Sequence, residues 1–360
     1  MRYRQFTLTM ATVLIAAACS PSDPPQRKLR RRLHVAPHAE TDINPRLLRK
    51  FRPVATDAPP KRATPEMIAL GRQLFFEPRL SRNHEISCNS CHPLDRYGAD
   101  GDPTSLGITG KRGTRNAPSV YNAAYHFAQF WDGRSPTVED QATKPILNEI
   151  EMGMPDEAAV VSALRAIPQY VDGFAAAFPG DPAPITLAHV GDAIGAFERG
   201  LVTTSRWDEY LTDQVNALTT LEKRGLRLFI DAGCQVCHTG PQVGGTMFER
   251  AGVVEPWPNE RDPGRAGVTH LDADRMVFKV PSLKNIEKTA PYFHDGSAAT
   301  LETAIQMMGR HQLGIELVDD EIAAIAAWMR AMTGPLDAQY IAPPAPRDTP
   351  PAERAARRGR

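Results

Sequence analysis

Two pentapeptides hold most of the chemistry available to this chain: Cys88-Asn89-Ser90-Cys91-His92 and Cys234-Gln235-Val236-Cys237-His238. Together they use four of the five cysteines in 360 residues. Two thiols at this spacing add across the vinyl groups of a porphyrin, and a histidine directly after the second thiol is then held under the iron as proximal ligand. A redox dithiol or half of a zinc site also uses Cys-x-x-Cys, but neither accounts for a histidine in the same place after both pairs. The pattern is therefore read as two covalently attached c-type haems on Cys88, Cys91, His92, Cys234, Cys237 and His238. Electron chemistry follows as the default.

The N-terminus supplies a compartment for such chemistry. Arg2 and Arg4 precede an apolar run from Leu8 to Ala18 that is too short to span a bilayer as a mature helix, and Ala16-Ala17-Ala18 ends it in small residues. Residues 1–18 read as a signal peptide. Cys19 then stands either at the position a bacterial lipoprotein acylates or as a free cysteine after an ordinary signal peptide, and both readings end outside the cytoplasm, in the bacterial periplasm. Residues 19–62 are rich in proline and arginine, include Arg30-Arg31-Arg32, and read as a flexible tether; the segment 338–360 reads as a disordered tail. With 42 basic and 42 acidic residues the formal charge is zero, so no nucleic-acid partner is indicated.

The elements that must position the two motifs repeat. Gly71-Arg72-Gln73-Leu74-Phe75-Phe76 precedes the first and Gly225-Leu226-Arg227-Leu228-Phe229-Ile230 the second, so a similar helix introduces each. The first of these helices has Thr64 as its cap and Pro65 at its first position, with Met67, Leu70, Gly71 and Leu74 on one face. Further helices are predicted over 157–166, 187–201 and 320–332. Strand-like alternation is scarce, so the fold class is mainly α, with one domain over 63–214 and a second over 215–337.

Five segments follow one another in a fixed order with both motifs between them: Leu74-Phe75-Phe76, Gln129-Phe130-Trp131-Asp132-Gly133-Arg134, Lys223-Arg224-Gly225, Ala290-Pro291-Tyr292-Phe293-His294 and Met308-Gly309. In them the chain resembles the bacterial diheme cytochrome c peroxidases, over essentially the whole span from Ala63 to Gly334. The resemblance implies two cytochrome c-like domains, each wrapped on one covalently bound haem c, the first a peroxide site and the second an electron store. It implies a cytochrome-c peroxidase that reduces hydrogen peroxide to water with electrons from a small soluble cytochrome c or a copper protein (a cupredoxin). Members are commonly dimers, and a homodimer is the matching expectation.

The resemblance also assigns residues. Met308 becomes the second axial ligand beside His238, where a thioether stabilises ferrous iron and raises the potential. Met307 is the neighbouring alternative, and a methionine on a helix is ordinarily core. At the first haem, held by His92, Glu151 moves a proton from the near to the far oxygen of peroxide and Gln141 donates to the departing hydroxide. Read alone, Glu151 is a surface acid no different from Glu149. Trp131 becomes an aromatic relay, although a buried tryptophan is more often core. A calcium ion falls on Asn116 and the backbone carbonyls of Thr289 and Pro291, oxygen ligands suited to a hard cation.

One departure carries weight. Many members place an iron-capping histidine after the first haem motif, and the matching stretch Thr104-Ser105-Leu106-Gly107-Ile108-Thr109-Gly110 has Ile108 there. Isoleucine cannot ligate iron, so the first haem is expected to be open without reductive activation; His84 or His126 could substitute as a cap, but each reads more simply as an exposed or packed histidine. A related branch with an open site matures the quinone cofactor of methylamine dehydrogenase by oxidising a protein tryptophan; its tyrosine ligand at the second haem differs from Met308 here. A non-catalytic diheme electron-transfer cytochrome is the third reading, and Ile108 speaks against it.

Overall fold

The computed structural model describes residues 31–32, 43–54 and 63–344. The signal segment, Cys19 and the remainder of the expected tether and tail lie outside the described residues. In chain order the helices are α1 (Pro45–Leu48), α2 (Pro65–Phe75), α3 (Cys88–Cys91), α4 (Val138–Leu147), α5 (Glu157–Arg165), α6 (Pro168–Ala177), α7 (Leu187–Glu198), α8 (Arg206–Leu211), α9 (Thr220–Ala232), α10 (Ala266–Thr269), α11 (Leu301–Met307), α12 (Asp319–Arg330) and α13 (Ala338–Ile341). Strands are few and short: β1 (Arg31–Arg32) pairs in parallel with β4 (Ile315–Glu316), and β2 (Phe248–Arg250) pairs antiparallel with β3 (Val277–Lys279). The fold is mainly α.

Thr64 caps α2 as its spacing predicts: its hydroxyl accepts from the Met67 amide at 3.2 Å, and Pro65 takes the first helical position. The three further predicted helices are α5, α7 and α12, with α7 ending at Glu198 rather than Leu201 and α12 at Arg330 rather than Met332. The periodicity gave no sign of α4, whose Pro145 reads as a breaker in sequence yet sits inside the helix.

Two hydrophobic cores result. Leu70, Leu74, Phe75, Val190, Ile194 and Phe197 centre the first; Trp207, Leu226, Phe229, Ile325 and Trp328 centre the second. The repeated glycines set how tightly each is closed. A Cβ on Gly71 would stand 1.7 Å from the carbonyl oxygen of Ala193 in α7, and one on Gly225 would stand 1.9 Å from that of Ala324 in α12. Backbone therefore meets backbone where α2 crosses α7 and where α9 crosses α12. Gly225→Ala is expected to lower the unfolding free energy by about 3 kcal/mol, the upper end of overpacking costs, seen as a lower urea midpoint by far-ultraviolet circular dichroism. An unchanged midpoint would mean the helices can part without loss.

Both ends of the described chain correct the compositional reading. Residues 43–54, expected in the tether, fold onto the second core: Ile43, Phe51 and Val54 are buried, and the Phe51 ring meets Trp207 edge-on at 5.4 Å. The amide of Gly240 donates to the carbonyl of Lys50 at 2.8 Å. Ile43, Leu47, Leu48, Phe51 and Val54 carry enough apolar surface to dock among the prolines and arginines. Residues 338–344, expected in the tail, instead begin with α13, capped by Asp337. Tyr340 stacks on Phe197 at 5.1 Å and donates to its carbonyl at 2.7 Å, so this segment closes over the first core.

Candidate functional site

The second Cys-x-x-Cys-His motif starts where α9 stops. Gly233, at φ 94°, holds the left-handed conformation that ends α9, and Cys234–Val236 follows as a 3-10 turn. His238 is buried with Nδ1 3.1 Å from the carbonyl of Val243. A carbonyl only accepts, so Nδ1 carries the proton and Nε2 keeps a lone pair for a metal. Burial pushes the imidazole down to about 4, which keeps it neutral.

Cys234, Cys237 and His238 line a cavity of about 490 Å³ whose walls are mostly apolar, with Phe229, Leu301 and Ile325 among them. Met308 lines it too, at the head of a π-helical turn over Met308–Leu313, whereas Met307 ends α11 and packs against the second core. An imidazole with a free Nε2, a thioether and two thiols on one apolar cavity are the donor set of a c-type haem, and the residues fit that group. Among the described residues no group of three or more His, Cys, Asp or Glu side chains could hold a metal by itself. Neither motif therefore has the partners of a zinc site.

At the first motif, Ser87 and Ser90 cap the single turn of α3, and the amide of His92 donates to the carbonyl of Cys88 at 2.9 Å. His92 Nδ1 lies 3.1 Å from the carbonyl of Gly98, so the arrangement at His238 recurs. Burial again lowers the imidazole.

Glu151 reaches this site by a fold-back after α4. Asn148 Oδ1 accepts from the amides of Ile150 at 2.9 Å and Glu151 at 3.3 Å, and the Met152 amide donates to Pro145 at 3.2 Å. The Glu151 charge is felt at Cys91, where it helps burial to raise the thiol. Burial raises the carboxyl of Glu151 itself, opposed only by the positive charge of Arg134. Gln141 is half-buried on α4, the helix that leads into this turn.

The amide of Ile108 lies 3.1 Å from the carbonyls of both Ile150 and Glu151, docking its loop on the same turn. A Cβ on Gly107 would stand 1.7 Å from Ile150 O, so glycine alone permits this approach. The two histidines considered as caps differ in their setting. His84 is exposed at φ 60°, and His126 is in the wall of the second cavity.

Trp131 also lines that second cavity, its indole donating to the carbonyl of Asn116 at 2.9 Å and its own carbonyl accepting from Lys279 at 2.7 Å. Three residues on, Arg134 pairs with Asp132 and stacks 3.4 Å over Phe130, while its charge acts on Glu151. The segment Phe130–Arg134 thus meets the second cavity through Trp131 and the first site through Arg134. Asn116, Thr289 and Pro291 line the same cavity, and Asn116 Nδ2 donates to Asp102 O at 3.0 Å.

Sequence reasoning missed several groups: the buried Lys279, His294 and Trp257 of the second cavity, and Glu198, whose carboxyl is pushed up to about 8 by burial and by Glu139. Lys279, Trp257 and Glu198 are lone residues outside any motif, so spacing carried no signal for them, whereas His294 closes the segment Ala290–His294, which marked its place but not its role.

Paired attachment turns with tautomer-fixed histidines on a helical scaffold define a dihaem c-type cytochrome. Residues 65–216 match the model of the di-haem cytochrome c peroxidase family. The cytochrome c551 peroxidase of Nitrosomonas europaea is 45% identical over 299 residues, covering 81% of this chain and 89% of that protein. That of Pseudomonas aeruginosa is 40% identical over 293 residues, covering 79% and 84%. Among solved structures, a MauG-like protein associated with microbial copper homeostasis is 33% identical at a TM-score of 0.68, covering 84% of this chain and 96% of that one. The chain belongs to the di-haem cytochrome c peroxidase family, and its cofactors are haem c.

Proposed function

We propose that this protein is a peroxidase that reduces hydrogen peroxide to water with electrons taken singly from a small cytochrome c or a copper protein. The observation that carries the reading is the desolvated Glu151 on a turn beside Cys91, with Ile108 docked on that turn where a capping histidine would otherwise stand. Family membership and the similarity to cytochrome c551 peroxidases support the same activity.

When bound, the haems would supply peroxide chemistry at His92 and a one-electron store at His238, so that one-electron donors serve a two-electron reaction. His92 and His238 present Nε2 because their Nδ1 atoms are held by Gly98 and Val243. Met308 supplies the thioether at the second site. Glu151, whose raised pKa suits it to take up and release a proton, moves the peroxide proton from the near to the far oxygen, and Gln141 donates to the leaving oxygen. Trp131 is the relay, fixed at its indole by Asn116 and at its carbonyl by Lys279.

Other parts of the proposal rest on sequence. The peroxide-site domain spans 63–214 and the electron-transfer domain 215–337. Arg2, Arg4 and the apolar run support a signal peptide and a periplasmic location, and Cys19 after Ala18 supports a lipid anchor. Calcium on Asn116, Thr289 and Pro291 fits oxygen ligands at one cavity, and a homodimer follows the family habit. No helix among the described residues is long and apolar enough to cross a membrane.

The test is peroxide-dependent oxidation of reduced cytochrome c by the fully oxidised holoprotein, with and without a one-electron pre-reduction. Turnover at the same initial rate in both states is the expected result. Turnover only after pre-reduction would refute the open first site, and none in either state would refute the peroxidase reading with this donor.

A further inference from the structure

Three nitrogens in the second cavity have no hydrogen-bond partner among the described residues and are themselves buried: His126 Nε2, Trp257 Nε1 and His294 Nε2. Burying a polar group without a partner is costly, so three at one cavity point to an acceptor that belongs there.

The protonation of two of them is fixed by chemistry. An indole nitrogen is a donor only. Lys279 Nζ, which donates to Ala128 O at 2.9 Å, lies 3.2 Å from His126 Nδ1. An ammonium has no acceptor, so Nδ1 accepts and Nε2 bears the proton. Glycine at 245 lets the His126 ring come this close, since a Cβ there would meet its Cδ2 at 2.4 Å. His294 is stacked on Phe278 at 4.1 Å and its ring lies 6.4 Å from Trp257 and 6.3 Å from Trp131. Trp257 in turn packs with Met308 in a small cluster around Met276 and Phe278.

The cavity is otherwise mostly apolar. A c-type haem is an apolar macrocycle carrying two carboxylates, and these are its only strong acceptors. We propose that His126, Trp257 and His294 are the donors that hold the propionate carboxylates of the second haem, with Lys279 behind His126 as the positive charge that balances them. They are positioning residues. By neutralising the carboxylates beside Trp131 they favour the ferrous form, adding to the effect of the Met308 thioether. The inference rests on the second haem filling the His238 cavity, and not on the peroxidase activity.

Potentiometric titration and resonance Raman spectroscopy of the holoprotein test it in H126F, H126Q and W257F. H126F and W257F are each expected to shift the one-electron equilibrium of the second haem about tenfold toward the oxidised form, about 59 mV, and to move a propionate-bending band. H126Q, whose carboxamide keeps a donor, is expected to restore most of both. A wild-type potential and wild-type bands in both H126F and W257F, with the second haem covalently bound and low-spin, would overturn the proposal. Mass spectrometry of the wild type separates the premise: one covalent haem rather than two would refute the cofactor reading itself.

Discussion

Glu151→Gln is expected to lower peroxide turnover by about 10²- to 10⁴-fold while leaving the fold at least as stable as the parent. Glutamine keeps the size and the hydrogen-bonding edge of the side chain but cannot take up the peroxide proton. The stability half of the expectation comes from burial, which raises the carboxyl above its ordinary value. An acid whose folded pKa lies above its unfolded value adds stability below the unfolded pKa and loses it as pH rises through the folded one. Wherever it is ionised, Glu151 is therefore a net cost, and the amide removes it. The same shift sets the acid limb of activity. The carboxylate is the form that accepts the proton, so the parent rate should fall as pH drops through a pKa above the usual carboxylate range, and E151Q should lose that limb. Steady-state peroxide kinetics against pH, with thermal melting alongside, read both. A variant within threefold of the parent rate would remove Glu151 from the chemistry; one that melts earlier would make its role structural.

Asp208→Ala is expected to cost about 3–5 kcal/mol, the range for removing one partner of a buried ion pair. Lys284 is 1% exposed at its side chain and Asp208 6%, and Lys284 Nζ donates to Asp208 Oδ2 and, at 2.9 Å, to Ser205 Oγ. Asp208 also accepts from the amide of Val54 at 2.9 Å and from the amide of Ser205 at 2.8 Å. Alanine leaves a buried ammonium uncompensated, uncaps α8 and releases residues 43–54 from the second core. Because Lys284 lines the haem cavity, the damage should reach the second haem's low-spin spectrum as well as the urea midpoint. The double variant D208A/K284M should recover much of the loss, since it removes the stranded charge. Equal stability of D208A and the parent would show the pair to be dispensable.

Chemistry that depends on neighbours along the chain was legible in the sequence. Cys-x-x-Cys-His fixes covalent attachment and the proximal histidine within five residues, and Thr64-Pro65 fixes a helix start within two. The repeated Gly71 and Gly225 were visible as a pattern, but the carbonyls of Ala193 and Ala324 that make them necessary lie about a hundred residues further on and appear only when the helices cross. Composition misplaced residues 43–54 and 338–344, because a segment rich in proline and arginine can still carry a few apolar side chains that find a core. Met307 and Met308 are adjacent in sequence, and the π-helical turn decides which of them faces the cavity. Glu151 and Glu149 are alike as letters, and only the fold-back on α4 desolvates one. His126, Trp257 and His294 come from three distant stretches. Their unpaired nitrogens exist as a set only once folding has closed one cavity around them, since burial is a property of the whole chain and spacing is a property of a few residues.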